Sequence, residues 1–167
     1  MRRKLFVDMD GVLADFDRGF IERFQIDHRA KDFPKKKMWD LVYSVDNFFL
    51  ELPVMAGAGM LLSRVVQAKL ADAYILTACP SSAYEEVARQ KKAWIKKYFG
   101  DWMVLPAYRS ESKPAYIQNP GDILIDDWRL NCEAWEAAGG SAVKFENAEQ
   151  AVEDLHKVLF GGESNEV

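Results

Sequence analysis

Two carboxylates one residue apart, Asp8 and Asp10, directly follow a short apolar run near the start of the chain. Because side chains alternate across an extended strand, both carboxylates would point the same way if the strand continued. Their charges would then repel each other, and a divalent cation that prefers oxygen ligands, above all Mg²⁺, would relieve that repulsion. Gly11 lets the chain turn sharply and lets the backbone approach a ligand closely. The alternative is an acidic strand end, capped by a turn, that binds nothing.

Later apolar runs end in side chains of complementary chemistry. Thr77 follows the second run, Asp126 and Asp127 end a later one, and Lys113 lies in the loop before them. The first acidic pair and Asp126 offer hard oxygen ligands for Mg²⁺, whereas Thr77 and Lys113 offer a hydroxyl and a cation for the oxygens of a phosphoryl group. A carboxylate can also attack phosphorus to form an aspartyl phosphate. Taken singly, Thr77 is better explained as a strand-end cap and Lys113 as a surface lysine.

Alternating strand-like and helical patterns predict the elements that must position these groups. Short apolar runs are separated by segments whose apolar residues recur at helical spacing, as expected for βαβ units. We therefore predict an α/β protein with a parallel sheet and helices on both faces. The carboxyl ends of such strands meet at one edge, which would bring the reactive ends together. The predicted strands cover 5–7, 73–76, 102–105, 123–125 and 142–145, and the predicted helices cover 14–24, 60–69, 82–99, 131–138 and 148–159.

An insertion separates the first strand from the rest of the chain. Residues 14–53 are predicted to form a small helical cap over the end of that strand, whereas residues 1–13 and 54–167 form the α/β core. Within the cap, the polar stretch 27–40 contains a proline and is predicted to be a loop. Its three consecutive lysines, 35–37, are interpreted as a solvated rim, because charge runs usually face solvent.

The composition excludes several classes of function. With 167 residues, of which 49% are hydrophobic, the chain can build one domain with a substantial core, and its net charge of −4 does not indicate a nucleic-acid polymer as partner. The spacing of Cys79 and Cys132 favours neither a zinc site nor a disulfide framework, so both are predicted to be reduced and internal. No run approaches the roughly 18 apolar residues of a membrane span, and no signal peptide is recognised. We expect a soluble, cytoplasmic protein with no membrane partner, and the sequence leaves both a monomer and a homodimer open.

The order of these motifs resembles a known superfamily. Asp-x-Asp-Gly-Val, a hydrophobic residue before Thr, a later Lys and Ile-Asp-Asp match the haloacid dehalogenase-like (HAD) phosphohydrolases across nearly the whole chain. Within that superfamily, the segments 8–16, 47–52, 92–100 and 124–127 look like the 5′(3′)-deoxyribonucleotidases. The resemblance implies a Rossmann-like, doubly wound core with a small helical cap. It also implies hydrolysis of nucleoside monophosphates with Mg²⁺ as cofactor.

The resemblance implies roles for the acidic residues. Asp8 would be the nucleophile. Asp10 would be the general acid that protonates the leaving oxygen, and then the base for the hydrolytic water. Mg²⁺ would be bound by Asp8, by the backbone carbonyl of Asp10 and by Asp126, with Asp127 supporting it through water.

The resemblance also implies how substrate is held. Thr77 and the backbone amide of Ala78 would bind the phosphoryl oxygens, and Lys113 would neutralise the charge of the pentacoordinate phosphorus. The implied partner is a small-molecule nucleotide. Several aromatic rings are candidates to stack on its base, with a core position as the alternative for each: Phe16, Phe20, Trp39, Phe48 and Phe49.

Two segments depart from the family pattern. The family usually has Thr-Ser-Pro after the second strand, whereas residues 77–80 read Thr-Ala-Cys-Pro, which puts one side-chain contact to phosphate or sugar in doubt. It usually has Asp-Asp-Arg-Pro after the later strand, whereas residues 126–129 read Asp-Asp-Trp-Arg, which leaves the role of Arg129 open.

Other functions remain alternatives at this stage. A sugar-phosphate phosphatase or a phosphomutase of the same superfamily would carry the same core motifs. A phosphorylation-switched receiver domain would need its acceptor aspartate at the end of a central strand, and the nearest candidate, Asp46, lies in no strand pattern. A non-catalytic phosphate-binding protein would not need both Asp8 and Asp10.

Overall fold

A five-stranded parallel sheet forms the centre of the computed structural model, which describes residues 2–68 and 72–161. The strands are β1 (Leu5–Val7), β2 (Ala73–Cys79), β3 (Val104–Tyr108), β4 (Ile123–Asp126) and β5 (Ser141–Lys144). Their spatial order is β3-β2-β1-β4-β5, and each neighbouring pair is parallel. The predicted α/β fold with a doubly wound parallel sheet is thereby confirmed.

Within the described ranges, six α-helices accompany the sheet and cover both of its faces. They are α1 (Phe16–Phe24), α2 (Lys35–Tyr43), α3 (Ala58–Gln67), α4 (Tyr84–Phe99), α5 (Arg129–Ala137) and α6 (Ala148–Phe160). Leu5 and Val7 of β1 belong to a large apolar cluster completed by residues of α3, α4 and α6. Phe6 points to the opposite face, where it packs against Trp135 of α5. Because both faces are covered, β1 and β4 are buried along their whole length.

Two strands run further than predicted. The predicted end of β2 was residue 76, but the strand continues through Thr77 to Cys79, because these residues pair with the second half of β3. The third strand covers Val104–Tyr108 instead of 102–105. It includes Pro106, which a strand at the edge of a sheet tolerates because one side of its backbone is unpaired.

Some segments predicted to be irregular are helical. The predicted loop over 27–40 is wrong from residue 35 onwards, where α2 begins after Pro34 and buries Val42. Short 3-10 helices cover Phe49–Glu51, Ser81–Ala83 and Ser110–Tyr116. The predicted end of α3 at residue 69 and the predicted frayed tail beyond residue 161 lie outside the described residues.

The inserted segment leaves the sheet and returns to it at one place. The amide of Asp15 donates to the carbonyl of Pro53 at 2.8 Å, and the amide of Met55 donates to the carbonyl of Leu13 at 2.8 Å. Phe20 of α1 joins the same apolar cluster as β1. The division into core and cap stays a prediction. Among the described helices, none has both the length and the apolar character needed to cross a membrane.

Candidate active site

Three carboxylates meet where β1 and β4 end. The two strands are adjacent and pair Val7 with Ile125, so the residues that follow, Asp8 and Asp126, lie side by side. One carboxylate oxygen from each of Asp8, Asp126 and Asp127 lies within 4.8 Å of the other two. Parallel pairing of two short strands is therefore what assembles this group.

Lys113 lies between two of these acids. It belongs to the 3-10 helix before β4, and its side chain is only 1% exposed. Its Nζ lies 2.9 Å from Asp8 Oδ1 and donates to Asp126 Oδ2 at 2.7 Å. Burial lowers the pKa of Lys113, but the attraction of both carboxylates outweighs burial, so the pKa is raised above its ordinary value. Lys113 is therefore a fixed cation at the site.

Both carboxylate oxygens of Asp126 accept further hydrogen bonds. The backbone amide of Trp128 donates to Asp126 Oδ1 at 2.8 Å, and Asn131 Nδ2 donates to Asp126 Oδ2 at 3.0 Å. This carboxylate is completely buried. Because each of its oxygens accepts a hydrogen bond, the carboxylate of Asp126 is held in one orientation.

The acids carry more negative charge than the protein alone neutralises. Burial, followed by repulsion from Asp126, raises the pKa of Asp8 well above its usual range. Burial, followed by the charges of Asp126 and Asp10, raises the pKa of Asp127 to about 7. Clustered oxygen donors that resist ionisation are suited to a hard divalent cation, so these residues fit Mg²⁺.

Gly11 is required by its surroundings. Its φ is +81°, and a Cβ at this position would lie 2.1 Å from Asp127 Oδ2. A side chain would thus be strained and would also displace the carboxylate. The prediction that Gly11 permits a sharp turn and a close approach agrees with this geometry, although the group approached is Asp127.

Asp10 does not join the three clustered acids. The sequence predicted that Asp8 and Asp10 would point the same way if the first strand continued. The strand ends at Val7 and the chain turns before Asp10, so that condition is not met. Asp10 Oδ2 instead accepts a hydrogen bond from Lys91 Nζ at 2.6 Å. Within the described residues, Asp10 Oδ1 is a buried oxygen with no hydrogen-bond partner.

Lys91 is a site residue that the sequence prediction missed. It lies on α4, is 2% exposed, and also donates to Thr77 Oγ1 at 3.0 Å and to the carbonyl of Ala78 at 2.7 Å. A signal was present, because Lys91 shares helical spacing with Val87, Trp94 and Ile95, the apolar face of the predicted helix. An ammonium on a buried helix face requires buried acceptors.

A cavity of about 970 Å³ opens above these groups. Asp8, Asp10, Ala78, Lys113 and Asp127 line it, whereas Thr77 is completely buried and does not. A further cation at its wall is Lys35, from the lysine run that the sequence indicated as a solvated rim. Three more, which the sequence did not single out, are Lys91, Arg109 and Lys144.

The aromatic candidates of the insertion separate into two groups. Phe16, Trp39 and Phe49 line the cavity. Phe20 and Phe48 do not, and as stacking candidates they are corrected to core residues, being 0% and 5% exposed. The centroid of the Phe16 ring lies 6.3 Å from that of Phe20 and 5.4 Å from that of Phe48, and the latter two centroids are 6.4 Å apart.

The Asp-Asp-Trp-Arg segment presents its tryptophan to the cavity. Trp128 lines the cavity and is 53% exposed, and Lys35 of α2 lies over its ring at 5.7 Å from the centroid. Arg129 instead pairs with Glu133 one turn along α5, on the exposed side of that helix. Of these two residues, Trp128 is therefore the one that lines the cavity.

Known proteins resemble the chain in sequence. No protein-family model matches it. The mitochondrial 5′(3′)-deoxyribonucleotidase of Homo sapiens is 28% identical, in an alignment that covers 74% of this chain and 61% of that protein. The cytosolic-type 5′(3′)-deoxyribonucleotidase of Homo sapiens is also 28% identical, over 74% of this chain and 70% of that protein. The chain thus spans about three fifths of the mitochondrial relative's length, and the resemblance seen in the motifs is confirmed.

Solved structures share the fold. A dehalogenase crystallised with an intermediate has a TM-score of 0.59 at 13% identity, over 93% of this chain and 96% of that chain. A HAD-family enzyme from Bacteroides thetaiotaomicron, crystallised with magnesium and inorganic phosphate, has a TM-score of 0.50 at 16% identity, over 88% of this chain and 95% of that chain. These similarities establish a HAD-like α/β fold for the chain.

Proposed function

We propose that this protein is a Mg²⁺-dependent phosphomonoesterase that hydrolyses deoxyribo- or ribonucleoside monophosphates through an aspartyl phosphate. The observation that carries the proposal is the convergence of Asp8, Asp127 and Lys113 at the floor of one cavity, with the buried Asp126 in contact with Lys113. Carboxylates around a fixed ammonium suit a phosphoryl group, whose transfer depends on positioning and charge neutralisation.

In the proposed reaction Asp8 is the nucleophile. A carboxylate oxygen of Asp8 forms a bond to phosphorus while the ester bond to the leaving oxygen breaks, and Asp10 gives its proton to that oxygen. Asp10 then accepts a proton from the water that hydrolyses the aspartyl phosphate. Lys113, which contacts Asp8, stabilises the charge that develops on the phosphoryl oxygens.

The cation would be held by Asp8, Asp126 and the backbone carbonyl of Asp10, with Asp127 in support through water. When bound, Mg²⁺ neutralises phosphoryl charge and orients the phosphate for attack. The raised pKa values of Asp8 and Asp127 support this assignment, because a cation would allow both acids to ionise together.

A nucleoside monophosphate is the substrate class that suits the rest of the cavity. Phe16, Trp39 and Phe49 form an aromatic wall on the insertion, and Trp128 lies on the core side. A base gains on the order of 1–3 kcal/mol by stacking on such a ring, whereas a sugar phosphate offers no flat surface. The related 5′(3′)-deoxyribonucleotidases support the same class and favour deoxyribose.

Phosphate release from a substrate panel tests the proposal. The panel holds deoxyribo- and ribonucleoside monophosphates, glucose 6-phosphate and p-nitrophenyl phosphate, each with Mg²⁺ and with excess chelator. We expect kcat/KM for nucleotides to exceed that for glucose 6-phosphate by roughly tenfold or more, and activity to stop in chelator. A preference for sugar phosphates would favour a sugar-phosphate phosphatase or phosphomutase instead.

Asp8→Asn is the control for the nucleophile. The amide cannot form an aspartyl phosphate, so we expect turnover to fall to background. Near-normal turnover of this variant, with deamidation excluded by mass spectrometry, would rule out Asp8 as the nucleophile.

A further inference from the structure

A second buried ammonium lies on the side of the site away from the clustered acids. Lys91 Nζ donates to Asp10 Oδ2 at 2.6 Å, to the Ala78 carbonyl at 2.7 Å and to Thr77 Oγ1 at 3.0 Å. Because a lysine ammonium has three N–H donors, all of them are used. It also lies 4.9 Å from the centroid of the Phe49 ring. Lys91 is therefore held in one place by three partners from two strand ends.

The hydrogen bond to Thr77 decides which way that hydroxyl points. An ammonium donates and cannot accept, so Thr77 Oγ1 must be the acceptor in this contact. The hydroxyl's own proton is then directed elsewhere. Thr77 is completely buried and does not line the cavity, so this contact holds the hydroxyl beside Ala78, a residue that does line it.

The hydrogen bond to Asp10 distinguishes the two oxygens of that carboxylate. Oδ2 is occupied by Lys91, whereas Oδ1 is buried and has no partner within the described part of the chain. Because a buried oxygen without a partner is costly, the hydrogen bonding of this carboxyl group depends on Lys91. Asp10 itself lines the cavity, and its side chain is 26% exposed, so the group that Lys91 holds is open to substrate.

We infer that Lys91 is a positioning residue which holds the Asp10 carboxyl group at the wall of the cavity, where it faces the leaving oxygen of the substrate. The inference rests on the proposed phosphatase function. In the step concerned, the bond from Asp8 to phosphorus forms, the ester bond breaks, and the proton of the Asp10 carboxyl group moves to the ester oxygen. Asp10 is left as a carboxylate paired with Lys91.

Lys91 is distinct from Lys113 in what it contacts. Lys113 pairs with Asp8 and Asp126, the nucleophile and a metal ligand, whereas Lys91 pairs with the proton donor. Loss of Lys91 should thus affect protonation of the leaving group more than attack on phosphorus. This difference gives the experiment its readout.

The test compares two aryl phosphates of similar size. Phenyl phosphate has a leaving group that needs a proton, whereas p-nitrophenyl phosphate releases a much weaker base that needs little assistance. We expect Lys91→Met to lower kcat/KM for phenyl phosphate by about tenfold or more beyond its effect on p-nitrophenyl phosphate, within the range of general acid catalysis. Both esters carry one aryl ring, so stacking in the cavity contributes to both and largely cancels in the ratio.

Lys92→Met is the matched control. Lys92 is the next residue on α4 and is exposed. The same substitution there should leave both kcat/KM values unchanged. A second control introduces Lys91→Met into the Asp10→Asn variant. We expect no further change in the ratio of the two kcat/KM values, because both substitutions act through Asp10.

The outcomes separate this inference from the proposed function. If the parent enzyme hydrolyses neither ester, the proposed phosphatase function fails. If the parent is active and Lys91→Met reduces both esters equally, Lys91 does not position Asp10 and the inference is overturned. If Lys91→Met does not yield folded protein, Lys91→Arg is tested instead. Arginine retains the positive charge, but its planar guanidinium cannot donate to all three partners of Lys91. The same change in ratio is then expected, and an unchanged ratio overturns the inference.

Discussion

At the residue scale, buried lysines divide the acids of the site by task. Lys113 neutralises Asp8 and Asp126, which are the proposed nucleophile and metal ligand. Lys91 neutralises Asp10, the proposed proton donor. Asp127 retains a pKa of about 7 because burial and the charges of Asp126 and Asp10 oppose its ionisation. This carboxyl group therefore reports on whether the site holds a cation.

The raised pKa of Asp127 predicts that Mg²⁺ stabilises the protein more at pH 7.5 than at pH 5. In the unfolded chain this carboxyl ionises near its ordinary value, about 4. Between that pH and about 7 the folded protein binds more protons, so without a cation the stability contributed by this group falls as pH rises. A cation that binds the ionised acids of the folded protein reverses this loss.

Thermal unfolding measures this effect. We expect the Mg²⁺-induced rise in Tm, relative to chelator, to be clearly larger at pH 7.5 than at pH 5. Asp127→Asn removes the titrating group and should reduce that difference between the two pH values. Equal rises at both pH values in the parent protein would contradict the prediction.

At the element scale, α4 connects the catalytic groups to the insertion. Lys91 on this helix reaches Asp10 and Thr77. One residue earlier, Gln90 accepts from the amide of Phe49, and one turn later Trp94 Nε1 donates to the carbonyl of Leu52 at 2.8 Å. The returning end of the insertion is thus fixed to the helix that also fixes the proton donor.

Trp94→Phe is predicted to weaken this connection. Trp94 is completely buried, so the change removes ring volume and leaves the Leu52 carbonyl without its donor. We expect the free energy of unfolding, from urea titration, to fall by about 2–4 kcal/mol. Tyr98→Phe keeps the ring that lies 4.9 Å from the Trp94 ring and removes only the hydroxyl of a 42% exposed residue, so it should change the free energy of unfolding by less than about 0.5 kcal/mol. Similar losses in both variants would show that the buried contact is not the cause.

At the scale of the whole molecule, the insertion and the α/β core enclose one cavity from opposite sides. The core supplies the charged floor, and the insertion supplies Phe16, Trp39 and Phe49. Behind this wall, Phe20 and Phe48 pack into the main apolar cluster. One layer of rings thus faces the cavity, and a second layer supports it.

Trp39→Leu is predicted to change substrate preference without changing the chemistry. Loss of a stacking ring should lower kcat/KM for nucleoside monophosphates by roughly ten- to a hundredfold while affecting p-nitrophenyl phosphate far less. Phe48→Leu is the matched control, because Phe48 is buried behind the wall. This control should lower Tm but leave the ratio of the two activities unchanged. Equal loss on both substrates in Trp39→Leu would exclude a role in base binding.

The sequence by itself determined the fold class and the acidic strand ends. Apolar runs that end in Asp8, Thr77 and Asp126 identify strands, and parallel connection places their carboxyl ends at one edge. Periodicity was less informative where an element is short. The helix over Lys35–Tyr43 was predicted to be partly a loop, because Pro34 and three lysines outweighed the few apolar residues that it buries.

Only the tertiary structure decided which groups pair. Helical spacing places Lys91 on the buried face of α4, but Asp10, its partner, lies 81 residues earlier in the chain and is reached only once α4 packs on the sheet. The same holds for the aromatic rings. The sequence indicates that Phe16 and Phe20 share a helix face, whereas their separation into cavity wall and core follows from which ring the neighbouring side chains cover. Local pattern fixes the direction of a side chain relative to its own element, and packing between elements fixes what that side chain meets.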